Sequence, residues 1–257
     1  MTQRRTLQGL AGLAGLAAML ELLPRSGLIP SRFLPPFSDI VQALVVEMST
    51  SMFWFALYET LRAWAIGLAV ATVAGVGIGL LIGSFSVLRE ATASTIDFLR
   101  PIPSVALIPL AVLLYGTDIR SKLLLIVYAA FWQLLIQVLY GVQDLDPVAR
   151  DTAASFRFGR WARLRYVVWP TALPYVMTGV RLAAAVALIL AVTAELVIGS
   201  PGLGKEIALA QSGGAVDTLY ALVMVAGLTG VAINLGARRL ERRVLAWHPS
   251  VRGEAIR

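Results

Sequence analysis

The most suggestive chemistry in the chain is a near-copy of a phosphate-binding loop. Residues Gly199-Ser-Pro-Gly-Leu-Gly204-Lys205-Glu206 follow G-x-x-x-x-G-K up to the last position. That position needs a hydroxyl to hold magnesium, and Glu206 offers a carboxylate instead. The motif also needs a preceding β-strand, whereas here it follows an apolar run, so it reads as a Gly-rich turn. Other reaction chemistry is scarcer still. With no Cys and a single His, His248, the chain has neither a thiolate nor a multi-histidine metal site. A Ser-His-Asp triad would have to recruit that tail residue, beside Pro249.

What remains is polarity in apolar surroundings, which is costly and usually faces protein. Gln133 and Gln137 stand four apart and share one helix face. Arg181 and Glu195 lie about 21 Å apart at helical rise, too far to pair with each other. Arg181 is therefore expected to snorkel to the inner headgroups. Glu195 either reaches the outer headgroups or has a partner elsewhere. Asp97 and Asn234 complete the set. Pro101, Pro103 and Pro109 would free backbone carbonyls inside another apolar run. Such carbonyls find partners in protein-lined cavities, so a bent span beside a substrate path is expected there. Pro101, Pro103, Pro109, Gln133, Gln137 and Glu195 are thus the candidate path-lining residues.

The elements that carry these residues follow from composition. The 257 residues are 58% hydrophobic and 14% charged, with a mean hydropathy of +0.77, which is the composition of a membrane protein. Three runs are free of charge: 64–83, 123–142 and 218–235. Three more are interrupted: 7–23 by Glu21, 91–115 by Asp97, Arg100 and the prolines, and 174–198 by Arg181 and Glu195. About 20 apolar residues cross a bilayer, so about six transmembrane helices are expected. The first run ends Glu21-Leu-Leu-Pro24 without a small-x-small cleavage site, and reads as a retained span rather than a signal peptide.

The fold class expected is thus all-α and integral to the membrane. Gly75, Gly79 and Gly83, four apart, are expected to pack against another helix. Arg25 and the Pro- and Ser-rich residues that follow read as an outside segment with a short helix from about Ser38. Of the 22 Lys and Arg, 15 fall on the side holding both termini if six spans alternate, and 5 on the other. That bias places both termini in the cytoplasm and accounts for the net charge of +7 without nucleic acid.

The longest inside loop, 143–171, carries five of these arginines. Asp146-Pro147 is a helix start, with the carboxylate at the N-cap and proline in the first turn. A short helix with a modestly apolar face (Val148, Ala149, Thr152, Ala153, Phe156) should follow. Periodicity alone leaves two settings open: docking on a partner, or lying on lipid headgroups with Arg160, Arg163 and Arg165 at phosphates.

This loop resembles the cytoplasmic signature of the membrane-embedded permeases of bacterial ABC importers: Glu-Ala-Ala, three residues, Gly, nine residues, Ile-x-Leu-Pro. Anchored on Pro170, the chain reads Asp151-Thr152-Ala153, Arg157 and Val167-Val168-Trp169-Pro170. Arg157 stands where Gly is expected, and Gly159 is expected to take over the turn. The stretch Pro170-Thr-Ala-Leu-Pro174-Tyr-Val-Met-Thr-Gly179-Val-Arg181-Leu is similar to permeases of sulfonate, taurine, nitrate and pyrimidine-precursor importers. So are Arg100-Pro101-x-Pro103, Ala106-Leu107-Ile108-Pro109-Leu110, Tyr115-Gly116, Ser121-Lys122 and Ala194-Glu195 with Gly202-Leu203-Gly204.

The resemblance covers about 54–243 and implies a type I-like permease fold in one domain over 1–257, with a basic cytoplasmic tail at 244–257. It implies that 143–171 couples to a separate ATP-binding subunit through Asp151, Thr152, Ala153, Ala154, Ser155, Arg157, Gly159 and Pro170, in preference to lipid docking. It further implies a second permease copy, an external solute-binding protein, a place in the bacterial inner membrane, and no catalysis or cofactor in this chain, ATP being used by the partner. The rival is an ion-coupled secondary transporter acting alone, which would need an internal repeat and more buried titratable groups than occur here. A membrane-embedded enzyme would need paired acids, a metal cluster or a placed His in its spans.

Overall fold

A run such as Ser51–Ser84 contains no proline and keeps its only charges, Glu59 and Arg62, within its first 12 residues, so nothing breaks its backbone ladder. In the computed structural model it is one 34-residue helix. The structure describes residues 2–247, and for residues 2–7 and 10 the backbone only. His248, Arg252 and Arg257 lie outside the described residues, as do most of the expected basic tail and the side chains of Arg4 and Arg5.

In chain order the helices are α1 (Thr2–Arg25), α2 (Phe37–Met48), α3 (Ser51–Ser84), α4 (Ser86–Leu99), α5 (Ile108–Tyr115), α6 (Ile119–Gln143), α7 (Pro147–Ser155), α8 (Arg160–Arg163), α9 (Trp169–Ile198), α10 (Leu203–Ser212) and α11 (Val216–Val244). A 3₁₀ turn, Ser104–Leu107, precedes α5, and a π turn, Leu164–Val168, joins α8 to α9. No strand occurs among the described residues.

Four helical stretches are long and apolar enough to cross a membrane: α3, α6, Arg160–Ile198 and α11. The pair formed by α4 and Ser104–Tyr115, bent by 81°, brings the count to five. Six were expected. The expected first span, 7–23, is helical within α1, but α1 includes the undescribed side chains and stands outside this count.

α6 packs against both α3 and α9, which also meet each other, Trp64 Nε1 of α3 donating to Ala184 O of α9 at 2.9 Å. The α3 contact rests on absent side chains, because a Cβ on Gly75 would sit 2.7 Å from Leu134 Cβ, on Gly79 2.8 Å from Val138 Cβ, and on Gly83 2.9 Å from Val142 Cβ. The glycine stripe is therefore a helix-packing surface, as its spacing implies. Alanines continue the scheme: Ala63 and Ala71 of α3, Ala130 of α6, and Ala183, Ala187 and Ala191 of α9 are completely buried in one cluster. Close backbones replace the missing hydrophobic drive between helices in lipid with dense van der Waals contact.

The short outer helix begins earlier than expected. Pro36, not Ser38, is the N-cap of α2. Ser38 instead donates its N–H (2.9 Å) and its hydroxyl (3.1 Å) to the Glu21 carboxylate, tying α2 to the end of α1.

Candidate coupling surface and transport path

α7 forms where Asp146-Pro147 starts it: the Asp146 carboxylate accepts from Val148 N–H at 2.8 Å, and proline occupies the first turn. Its single buried residue is Ala153. Asp151, Thr152, Ala154 and Ser155 are exposed, and Ser155 Oγ turns back to donate to Asp151 O at 3.0 Å. Arg150 lies 3.7 Å from Asp151, both well exposed, a pair of little energetic weight. The outward surface also holds large apolar groups: Val148 is 71% exposed, Phe156 74% and Trp161 72%. Loops bathed in water do not usually display such groups unless another surface covers them.

The helix ends on Arg157, whose φ is +54°; it is the one non-glycine residue with positive φ among the described residues. Arg157 N–H donates to Ala154 O at 2.9 Å, and Phe158 N–H reaches back to Ala153 O at 2.9 Å. These two bonds make the six-residue left-handed stop that normally carries glycine. The expected substitute, Gly159, has φ −62° and simply caps α8. So the turn stays at the motif's glycine position, and arginine bears the conformation there. The downstream chain packs on itself, with Phe158 edge-on to Tyr166 and the Arg165 guanidinium 5.6 Å from the Tyr166 ring.

Proline explains the next turn. Pro170 has no N–H to give and its ring crowds the carbonyl four residues earlier, so the ladder widens into the π turn just before it. Pro170 itself is half-buried on an open cavity of about 490 Å³, lined also by Asp144, Thr171, Pro174, Tyr175, Thr178 and Trp247. There the Tyr175 hydroxyl donates to Asp144 Oδ2 at 2.6 Å.

Among the path candidates, the prolines do bend their span. Pro101 sits in the break, Pro103 caps the 3₁₀ turn, and Pro109 lies in the first turn of α5, where its missing N–H costs nothing. Tyr128 of α6 donates to Leu99 O at 2.6 Å, supplying a partner for a carbonyl at the break. α4 buries none of its residues within the chain. Gln133 and Gln137 are half-buried, and Gln137 packs where Gly179 of α9 leaves room.

Glu195 does not face open space: it is completely buried in an ionic network. Lys122, 1% exposed, donates from Nζ to Glu195 Oε1 at 2.9 Å and to Pro201 O at 2.7 Å. Thr60 donates to Glu195 Oε2 at 2.7 Å, and Gly204 N–H donates to the same oxygen at 3.2 Å. Leu203 N–H donates to Thr60 Oγ1 at 2.9 Å. The amides of the phosphate-loop lookalike are thus spent on the protein's own carboxylate and hydroxyl.

The sequence presents Lys122 only within the Ser121-Lys122 stretch of the resemblance, with no partner for it, and does not mark Thr60 at all. Lys122 reads there as an ordinary outer-loop cation, and 73 positions separate it from Glu195. Two opposite charges at the same end of neighbouring runs were the available signal. Arg181, expected to snorkel, instead pairs with Glu241 of α11 at 3.1 Å. No cluster of metal-binding side chains occurs among the described residues.

Residues 75–246 match the family model described as "Binding-protein-dependent transport system inner membrane component". The chain is 31% identical over 229 residues to a taurine transport system permease protein of Escherichia coli K12, covering 87% of this chain and 83% of that one. It is 26% identical over 183 residues to a nitrate import permease protein of Leptolyngbya laminosa, covering 71% and 65%. Its fold matches a chain of a bacterial alginate ABC transporter crystallised with an alginate pentasaccharide-bound periplasmic protein, with a TM-score of 0.66, 14% identity, and coverage of 94% and 96%. The match over two thirds of the sequence, on a bundle of apolar helices with an exposed capped helix between its spans, makes the chain a member of the binding-protein-dependent inner-membrane permease family of ABC importers.

Proposed function

We propose that two copies of this chain line a solute path and that α7 couples each copy to a separate ATP-hydrolysing subunit. The observation that carries this is the exposed, doubly capped α7, which offers Val148, Thr152 and Phe156 along one face with Trp161 nearby. A short rigid helix of this kind transmits a displacement; a flexible loop would absorb it. Asp151, Thr152, Ala153, Ala154, Ser155, Arg157 and Gly159 form this docking element, and Pro170 begins the span that receives its motion.

The span α4–α5, with Pro101, Pro103 and Pro109, and the half-buried Gln133 and Gln137 border the path. A solute-binding protein delivers the solute to the outer face. The solute is a small sulfonate or oxyanion, in keeping with the taurine and nitrate permeases among the relatives. Both termini face the cytoplasm of a bacterial cell with the protein in its inner membrane. This chain binds no cofactor and carries out no covalent step; ATP is used by the partner.

The absence of Cys makes the test direct. A Ser155→Cys variant co-expressed with the neighbouring ATPase should crosslink to it through a short bifunctional reagent. Capture of lipid reagents alone, or solute uptake that proceeds without the ATPase, would sink the reading.

A further inference from the structure

We infer that Lys122, Glu195 and Thr60 are positioning residues for transport: their buried network locks α10 to α9, so that the outer helix moves with the coupling loop as one unit. The inference rests on the permease reading above. Its grounds begin with cost. Two fully buried charges lose their hydration, and an apolar pair of similar volume usually holds a bundle as well or better. Stability alone therefore does not account for the pair. What it supplies is direction, because its bonds converge on the start of one short helix.

The first N–H groups of any helix have no partner within the helix. α10 begins at Gly202, which has no side chain to cap it. Its orphan donors are taken from outside: Gly204 N–H by the Glu195 carboxylate of α9, and Leu203 N–H by the Thr60 hydroxyl of α3. Lys122 of α6 completes the lock by holding both Glu195 and the carbonyl of Pro201 just before α10.

The two backbones also lie directly on each other. A Cβ on Gly204 would collide with the Val192 carbonyl, and one on Gly202 with the Glu195 carboxylate. Gly202 has φ +152°, which side chains rarely adopt. The other end of α10 is different: Gly213-Gly214 follows, with Gly214 at φ +70° and nothing within 4 Å of where its Cβ would stand. α10 is thus bonded at its start to α9, α3 and α6. Toward α11 it has only apolar packing of Leu203 and Ile207 on Leu222 and Val225, which can slide, and the Gly213-Gly214 connection, which can absorb backbone rotation. α9 spans 30 residues, about 45 Å, from the π turn beside the coupling loop to Ile198.

The test uses the permease assembled with its ATPase in proteoliposomes. Gln211→Cys places a single thiol at an exposed position near the end of α10, read by its rate of reaction with a membrane-impermeant maleimide, with and without ATP plus vanadate. ATP should change that rate several-fold. Adding Thr60→Val should at least halve the change, and Thr60→Ser should restore it. The double substitution Lys122→Met with Glu195→Met should abolish the change while ATP hydrolysis continues. If that double variant fails to assemble, the Thr60 series decides. A full response retained in Thr60→Val overturns the inference, as does an α10 thiol indifferent to ATP in a complex that hydrolyses it. Failure of the parent chain to recruit the ATPase at all would overturn the permease reading instead.

Discussion

Replacing Arg157 with glycine should strengthen the end of the coupling helix. A left-handed residue with a Cβ costs about 1–2 kcal/mol relative to its right-handed form, and glycine avoids that cost. Against this, glycine loses more backbone freedom on ordering, roughly 0.5–1 kcal/mol. Arg157 has φ +54°, and the two bonds that close the turn, Arg157 N–H to Ala154 O and Phe158 N–H to Ala153 O, are made by backbone and survive the substitution. The net gain is therefore about 1 kcal/mol, or about a fivefold shift in the local opening equilibrium. Amide hydrogen exchange at Phe158 reads that equilibrium, and it should slow about fivefold in Arg157→Gly. Arg157→Val should speed it, because a β-branched residue tolerates positive φ least. Exchange that quickens in Arg157→Gly, or that is the same in both variants, would refute the reasoning.

Other outcomes follow from packing and burial. Gly79→Ala forces a Cβ to within 2.8 Å of Val138 and should cost about 1–3 kcal/mol, whereas Gly77→Ala meets nothing within 4 Å and should be neutral or slightly stabilising; thermal unfolding in detergent compares the two. Lys122→Met alone leaves the Glu195 carboxylate buried without its counter-charge and should cost about 3–5 kcal/mol, seen as a sharp drop in monodisperse protein. Asp146→Ala removes the N-cap of α7 and should cost the helix about 1 kcal/mol, read as faster amide exchange at Val148. Glu241→Gln breaks a partly exposed pair with Arg181 and should cost at most about 1 kcal/mol in the same thermal assay.

What was readable from sequence was local or periodic. Asp146-Pro147 announced α7 because an N-cap carboxylate and a first-turn proline act within four residues. Gly75, Gly79 and Gly83 announced a packing face because a repeat of four maps onto one side of a helix. The bend at Pro101–Pro109 followed from lost donors. What stayed hidden depended on partners far along the chain. Neither Lys122 nor Thr60 carries a mark of burial in its neighbourhood, and Arg181 looked suited to headgroups until α11 brought Glu241 beside it. Arg157 was hidden for a different reason. Residue type argues against a left-handed conformation there, and only the surrounding helix end overrules it.

The π turn at Leu164–Val168 has a consequence for how such chains can vary. One residue more or fewer along a regular helix turns everything beyond it by about 100° and shifts it by about 1.5 Å. A π turn is a place where a helix holds one surplus residue without passing that rotation on as a break. The count of residues between Arg157 and Pro170 is therefore buffered at this turn: the side of the α7 segment that faces away from the bundle stays the same while the surplus residue is held there. A single-residue deletion within Leu164–Val168 would turn the bulge into regular helix and leave the docking face aimed much as it is. The same deletion within α9 would turn everything on its coupling-loop side by about 100° and aim the docking face away from its partner.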